Sequence, residues 1–108
     1  MSNATKEFRT HSALALRRID EVLGDLEHDS LDVDLAADVL TLDVGDGTQF
    51  IINAHSAAQQ IWMAAGTQAW HFDHQPESNR WVAAKNGDEL FEAVSRVVSD
   101  KLGETVRV

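Results

Sequence analysis

The spacing of the apolar residues changes twice along this chain of 108 residues. From Phe8 to Leu26 they recur at intervals of three, four and seven, which predicts an amphipathic helix. Between Leu31 and Ala83 they alternate with polar residues in six short runs, and this period predicts strands. From Leu90 to Leu102 the helical spacing returns, and Gly103 stands where a helix would end.

The order helix, six strands, helix predicts an α+β fold, an α-β sandwich in which two roughly parallel helices cover one face of a six-stranded antiparallel sheet. The Asp46-Gly47 pair favours a hairpin, and short connections favour a meander. Residues 54–59 are predicted to form a loop, and Asn86-Gly87-Asp88 to form the turn and cap before the second helix. The length fits one domain over residues 1–108, with residues 1–5 expected to be flexible.

Negative charge is concentrated in one stretch of the chain. There are 18 acidic residues against 9 basic ones, a formal charge of −9, and no Lys or Arg lies between Arg18 and Arg80. Eight acids occur from Asp20 to Asp38, and the apolar spacing between them assigns them to folded elements. At the end of a helix such acids are disfavoured by about 0.3–1 kcal/mol each. This cost favours a functional role, and a solvated face that only aids solubility is the alternative.

The composition excludes several classes of function. A surface this negative repels nucleic acid and anionic membranes and attracts metal cations or basic protein patches. The chain has no cysteine, so disulfides and thiolate chemistry are excluded. No apolar run is long enough to cross a membrane and no signal peptide is recognisable, so we expect a soluble, cytoplasmic protein. No nucleophilic triad or phosphate-binding glycine loop is present, which argues against an enzyme.

The parity of the strands predicts a contact surface on the sheet face that the helices leave open. If Ile61 and Met63 pack under the helices, Gln60 and Trp62 face outward, and Asn53 does so on the preceding strand. An exposed Trp beside Asn and Gln is typical of a contact surface. The alternative is that the parity is reversed and that Trp62 belongs to the core.

The acidic helix end that runs into an acidic strand is followed by Ile51-Ile52-Asn53, Gln60-Ile61-Trp62-Met63, Trp70-His71-Phe72-Asp73 and a lone Trp81. This series resembles the frataxin family, and the ending Gly103-Glu104-Thr105-Val106 is similar to its bacterial, CyaY-like branch. The resemblance implies a bacterial protein that binds iron (Fe²⁺ or Fe³⁺) weakly and regulates iron–sulfur cluster assembly. Its implied partners are the cysteine desulfurase and the iron–sulfur scaffold protein, to which it would act as iron donor, sensor or adaptor.

The resemblance also implies the site residues. The acidic ridge that binds metal is matched by Asp20, Glu21, Asp25, Glu27, Asp29, Asp32 and Asp34. The sheet surface that meets the assembly machinery is matched by Asn53, Gln60 and Trp62. The chain departs from the family pattern at Gly24 and Leu31, where relatives usually have acids, and at Ala54, where they have a base.

Several alternatives stay open from the sequence. Carboxylate oxygens suit iron, manganese, calcium and magnesium alike, so the composition does not select a metal. His28 is the histidine that borders the acids and is a further candidate ligand. A ferroxidase that oxidises Fe(II) on the ridge and an acidic adaptor that binds no metal are the two rival functions. We expect a monomer, with an iron-dependent oligomer as the alternative.

Overall fold

The computed structural model describes residues 3–108, and it confirms the predicted order of elements. One helix precedes six strands and a second helix follows them. The elements are α1 (Asn3–Gly24), β1 (Asp32–Ala36), β2 (Val39–Asp43), β3 (Gln49–His55), β4 (Gln60–Ala65), β5 (Gln68–Gln75), β6 (Arg80–Ala83) and α2 (Leu90–Leu102).

The six strands form one antiparallel sheet in which each strand pairs with the next one along the chain. The hairpin between β2 and β3 turns through Gly45, Asp46 and Gly47, with φ angles of 86°, 45° and 80°. Glycine adopts these left-handed angles without the steric cost that a Cβ brings. The predicted Asp-Gly hairpin and the meander are therefore confirmed.

Both helices pack against one face of the sheet, which we call the inner face. α1 contacts β1, β2 and β3, and α2 contacts β6. Ile61 and Met63 point inward as predicted and are 0% and 2% exposed, and Phe50 and Ile52 of the neighbouring strand β3 are 6% and 0% exposed. Because burial of one such side chain stabilises the fold by roughly 1.5–3 kcal/mol, this parity fixes which residues remain on the outer face.

The first helix ends earlier than its apolar stripe predicted. It begins at Asn3 and ends at Gly24, two residues before Leu26. Leu26 is 41% exposed and so does not extend the buried stripe. Glu27 has a φ of +48°, which lies outside the helical region, so the helix cannot continue through this residue.

The predicted loop over residues 54–59 is wrong at its first two positions. Ala54 pairs with Ile61 and His55 pairs with Gln60, so β3 continues to His55. Small and polar residues suggested a loop, but the backbone hydrogen bonds offered by β4 extend the strand. The strand therefore carries His55 as a side chain of the sheet.

The cap of α2 also differs from the prediction. Asn86 Oδ1 accepts a hydrogen bond from Asp88 N (3.0 Å), which forms the expected turn. The capping residue is nevertheless Glu89, whose carboxylate accepts from Glu92 N at 3.1 Å. Gly103, with a φ of 73°, ends the helix as predicted.

Residues 1–5, which were expected to be flexible, are described only in part. Residues 3–5 lie in the first turn of α1, and residues 1 and 2 lie outside the described residues. In the part of the chain that the structure describes, neither helix has the length and apolar character needed to cross a membrane.

Candidate docking and metal-binding surface

The acidic ridge follows three consecutive parts of the chain: the end of α1, the turn after it, and β1. Asp20 is half-buried and the other six acids of the ridge are exposed. The last turn of α1 contains no basic residue. Glu21 and Asp25 are four residues apart, a spacing at which like charges repel by a few tenths of a kcal/mol. The helix end thus carries negative charge that its own dipole disfavours.

The strand part of the ridge lies on the outer face. Val33 and Leu35 pack against the core, so Asp32 and Asp34, which alternate with them, point to the other side of the sheet. Since α1 packs on the inner face, the ridge wraps around the edge strand β1. Its carboxylates therefore do not converge on a single point.

Sequence reasoning missed one acid of this surface. Asp43 of β2 pairs directly with Asp32, so the two carboxylates are cross-strand neighbours on the outer face. Like charges directly opposite each other are destabilising. The sequence contained the information needed to place Asp43. Leu40 and Leu42 alternate with polar residues, so Asp43 falls on the face of the strand that points away from the core.

The turn part of the ridge holds His28 in a fixed orientation. Its Nδ1 accepts a hydrogen bond from Ser30 N (3.0 Å), and its Nε2 lies 3.3 Å from a carboxylate oxygen of Glu104. Both ring nitrogens are therefore engaged, and His28 would have to break a contact to bind a metal ion. Leu31, one of the departures from the family pattern, is buried in the core, so an acid there would be unfavourable.

Within residues 3–108 the ridge acids have no basic counter-charge. The ion pairs there join His28 to Glu104, Arg96 to Asp88 and Lys101 to Asp46. Hydrogen bonding to Lys101 lowers the pKa of Asp46, and hydrogen bonding to Trp70 lowers the pKa of Asp88. Neither of these carboxylates belongs to the ridge.

The arrangement of the ridge limits the metal chemistry it supports. Among the described residues, no three His, Asp or Glu side chains are grouped so that they could hold one metal ion. Carboxylate oxygens are suitable donors for ferrous or ferric ions. An ion on this ridge would be held by one or two carboxylates and by water, which favours weak and exchangeable binding over a permanent site.

The three predicted contact residues of the sheet lie together on the outer face. Trp62 pairs with Asn53 of β3 and is half-buried, which excludes the alternative of a core tryptophan. The Trp62 Nε1–H donates to Gln60 Oε1 (2.8 Å), and Gln60 Nε2 donates to Asp73 Oδ1 (2.9 Å). The structure thus joins Trp62 and Gln60 in one network with Asp73, while Asn53 is their neighbour through the pairing of β3 with β4.

Two histidines that sequence reasoning did not assign to the site flank this tryptophan. The His55 ring is stacked on Trp62 with centroids 3.9 Å apart, and the His71 ring with centroids 4.4 Å apart, each at an interplanar angle of 16°. We call these three side chains the ring stack. His71 could have been found from the sequence, because alternation along its strand places it on the same face of the sheet as Trp62. His55 could not, because residues 54–59 were predicted to form a loop.

The ridge and the ring stack belong to one continuous surface. Asp34 of β1 and Trp62 of β4 face the same side of the sheet, three strands apart. At about 4.8 Å per strand across the sheet, and with an offset of two residues along β4, the backbone separation is about 16 Å. Val39 and Ile51, each 40% exposed, lie between them. A single protein interface of ordinary size, about 800 Å² per partner, is wide enough to include both.

Comparisons with known proteins agree with this fold. The model of the frataxin-like domain matches residues 1–104. The chain is 32% identical over 102 residues to the "Iron-sulfur cluster assembly protein CyaY" of Thioalkalivibrio sulfidiphilus, covering 94% of this chain and 95% of that protein. It is 38% identical over 86 residues to the protein of the same name from Pseudomonas fluorescens, covering 77% and 78%. The frataxin structure from Psychromonas ingrahamii superposes with a TM-score of 0.86 at 25% identity, covering 95% of each chain.

Proposed function

Because this chain belongs to the frataxin-like family, we propose that it is an iron-binding regulator of iron–sulfur cluster assembly in the bacterial cytoplasm. It acts as an adaptor on the cysteine desulfurase and its scaffold protein, and not as an enzyme. The names of its bacterial relatives support a role in cluster assembly. The observation that carries the adaptor role is the acidic ridge, which has no basic counter-charge among residues 3–108 and whose strand part, Asp32 and Asp34, faces the same side of the sheet as the ring stack.

The proposed mechanism of docking is electrostatic. The ridge faces a basic patch of the desulfurase, and the long-range attraction raises the rate of encounter. The outer face, with Asn53 and Trp62, then sets the orientation of the complex. Exposed charges are screened over about 8 Å at physiological ionic strength, so the affinity must depend on salt.

Iron enters this mechanism as a cargo that competes with the partner for the same charges. A ferrous ion on the ridge neutralises part of its negative charge and so weakens attraction to a basic patch. By thermodynamic linkage, the partner must weaken iron binding by the same factor. The protein would then release its iron on docking, or dock less well when iron is abundant.

Charge-neutralising variants test the docking model. Asp25→Asn combined with Glu27→Gln and Asp29→Asn should weaken binding to the desulfurase from the same organism and flatten its dependence on salt. A matched control removes the same charge elsewhere, with Glu7→Gln, Glu77→Gln and Asp100→Asn at exposed positions. Isothermal titration at 50 to 300 mM salt measures both quantities. If the two triple variants lose the same affinity, docking through the ridge is wrong.

An acidic adaptor that binds no metal is the second candidate function. It is favoured by one observation, namely that no three potential ligands are grouped within the described residues. Backbone amide signals from Asp20 to Asp34, recorded by NMR while Fe(II) is added without oxygen, distinguish the two. Shifts confined to these residues support iron binding on the ridge, and unchanged signals support the metal-free adaptor.

A further inference from the structure

We propose that His55 and His71 are positioning residues of the docking surface, which hold Trp62 so that it meets the desulfurase with its edge and not with its face. This inference rests on the proposed function, because it concerns how the same surface recognises its partner. His55, Trp62 and His71 lie on the strands β3, β4 and β5, and the pairing of these strands fixes the backbone positions of the three rings relative to one another.

The stack covers both faces of the indole. His55 lies 3.9 Å from Trp62 on one side and His71 lies 4.4 Å from it on the other, measured between ring centroids. Both rings are within 16° of parallel to the indole. With both faces occupied, the indole edge is what remains for a partner. A tryptophan without these neighbours would have both faces open to solvent and several rotamers to choose from.

Hydrogen bonds lock the same arrangement. Trp62 has one donor, and it is used within the chain by Gln60, which is itself held by Asp73. His55 Nδ1 accepts a hydrogen bond from Ala58 N at 3.2 Å, which fixes the ring and leaves the proton of the neutral imidazole on Nε2. Trp62 therefore offers a partner apolar contact, and the polar contact falls to the imidazole groups beside it.

These features define the surface that the desulfurase must present. Opposite the ring stack and Ile51 it needs a flat apolar region bordered by acceptor groups for the imidazole N–H. About 16–20 Å away, opposite the β1 edge, it needs basic side chains for Asp32, Asp34 and the neighbouring Asp43. Both parts face the same side of the sheet, so one partner contacts them together.

A pair of matched double variants tests this proposal. His55→Ala with His71→Ala removes the stack, and His55→Phe with His71→Phe restores two rings that stack but cannot donate. Loss of preorganisation should lower the affinity for the desulfurase by about 3- to 10-fold. The Phe pair should bind more tightly than the Ala pair, because stacking returns, but more weakly than the unmodified chain, because the imidazole N–H groups are missing. Gln75→Ala, an exposed position on the same strand as His71 that contacts no ring, is the control and should bind like the unmodified chain.

A second readout needs no partner. The indole N–H signal of Trp62 in NMR spectra should shift and broaden in the Ala pair and stay sharp in the Phe pair, while the melting temperature changes little because the side chains are on the surface. Unchanged affinity in the Ala pair, or an unchanged indole signal, overturns the positioning role. If the unmodified chain fails to bind the desulfurase, the proposed function is overturned as well, whereas normal binding with an insensitive Ala pair rejects only the positioning role.

Discussion

Among single residues, Asp88 connects the sheet to the second helix. Its Oδ2 accepts hydrogen bonds from Trp70 Nε1 (2.9 Å) and from Arg96 Nη2 (3.1 Å), and its backbone oxygen accepts one from Ala83 N (2.8 Å). The Trp70 hydrogen bond is the main cause that lowers the pKa of this carboxyl; burial opposes it, and Arg96 adds to it. The charged form of Asp88 therefore stabilises the fold.

The lowered pKa of Asp88 determines in which direction the stability of the fold changes with pH. A carboxyl whose pKa is lowered in the folded state stabilises the protein above its unfolded pKa of about 3.9, and this stabilisation is lost as the pH falls through the folded value. Asp88→Ala should cost about 1–3 kcal/mol at pH 7, because the buried Trp70 loses its acceptor. Asp88→Asn should lose less stability than the unmodified chain between pH 5 and pH 2. Urea unfolding across this range measures both, and identical acid profiles would contradict the role of Asp88.

Among the elements, α1 has a charge pattern that opposes its own stability. Its first turn has no acid and its last turn has no base. Lys6 lies in the first turn, at the positive end of the helix dipole, and Glu21 and Asp25 lie near the negative end. A helix selected for stability alone would have the reverse order. We attribute the pattern to the binding role of the ridge, which accepts this local cost.

The attribution predicts that removing charge from the ridge stabilises the domain. Glu21→Gln with Asp25→Asn should raise the free energy of unfolding by about 1 kcal/mol, from relief of dipole and i,i+4 repulsion. For a domain of this size that corresponds to about 4–6 °C in melting temperature. Glu7→Gln, on the opposite half of the same helix, should give no gain. Thermal unfolding at low and high salt checks the cause, because a gain from relieved repulsion shrinks as salt rises. A drop in melting temperature in the double variant would instead mean that the acids are structural.

The sequence predicted the elements better than it predicted the relations between side chains. Strand parity followed from apolar alternation, because each inward residue such as Ile61 contributes burial energy that a register slip would lose. The ring stack was not predicted, because His55 was assigned to a loop and because the meander alone does not give the register that brings His55 and His71 to Trp62. The wrapping of the ridge around β1 was also hidden, since it depends on the face against which α1 packs.

For the whole molecule, the consequence is a separation of tasks between the two layers of the sandwich. The inner face of the sheet and the helices bury the core, while the outer face carries the ring stack together with Asp32 and Asp34, from which the ridge continues around the β1 edge to the end of α1. Changes on the outer face should therefore affect binding more than folding. Under the proposed function, iron and a basic partner use the same exposed carboxylates, so that the binding of one depends on the binding of the other.

The central claim is that the ridge serves both iron and a basic protein surface, and the affinity of the chain for the desulfurase with and without Fe(II) tests it most directly. Isothermal titration under anaerobic conditions, at several salt concentrations, is the measurement. The account predicts that saturating Fe(II) weakens binding and that the difference shrinks as salt rises, because both effects neutralise the same charges. An affinity that depends on neither Fe(II) nor salt would contradict it.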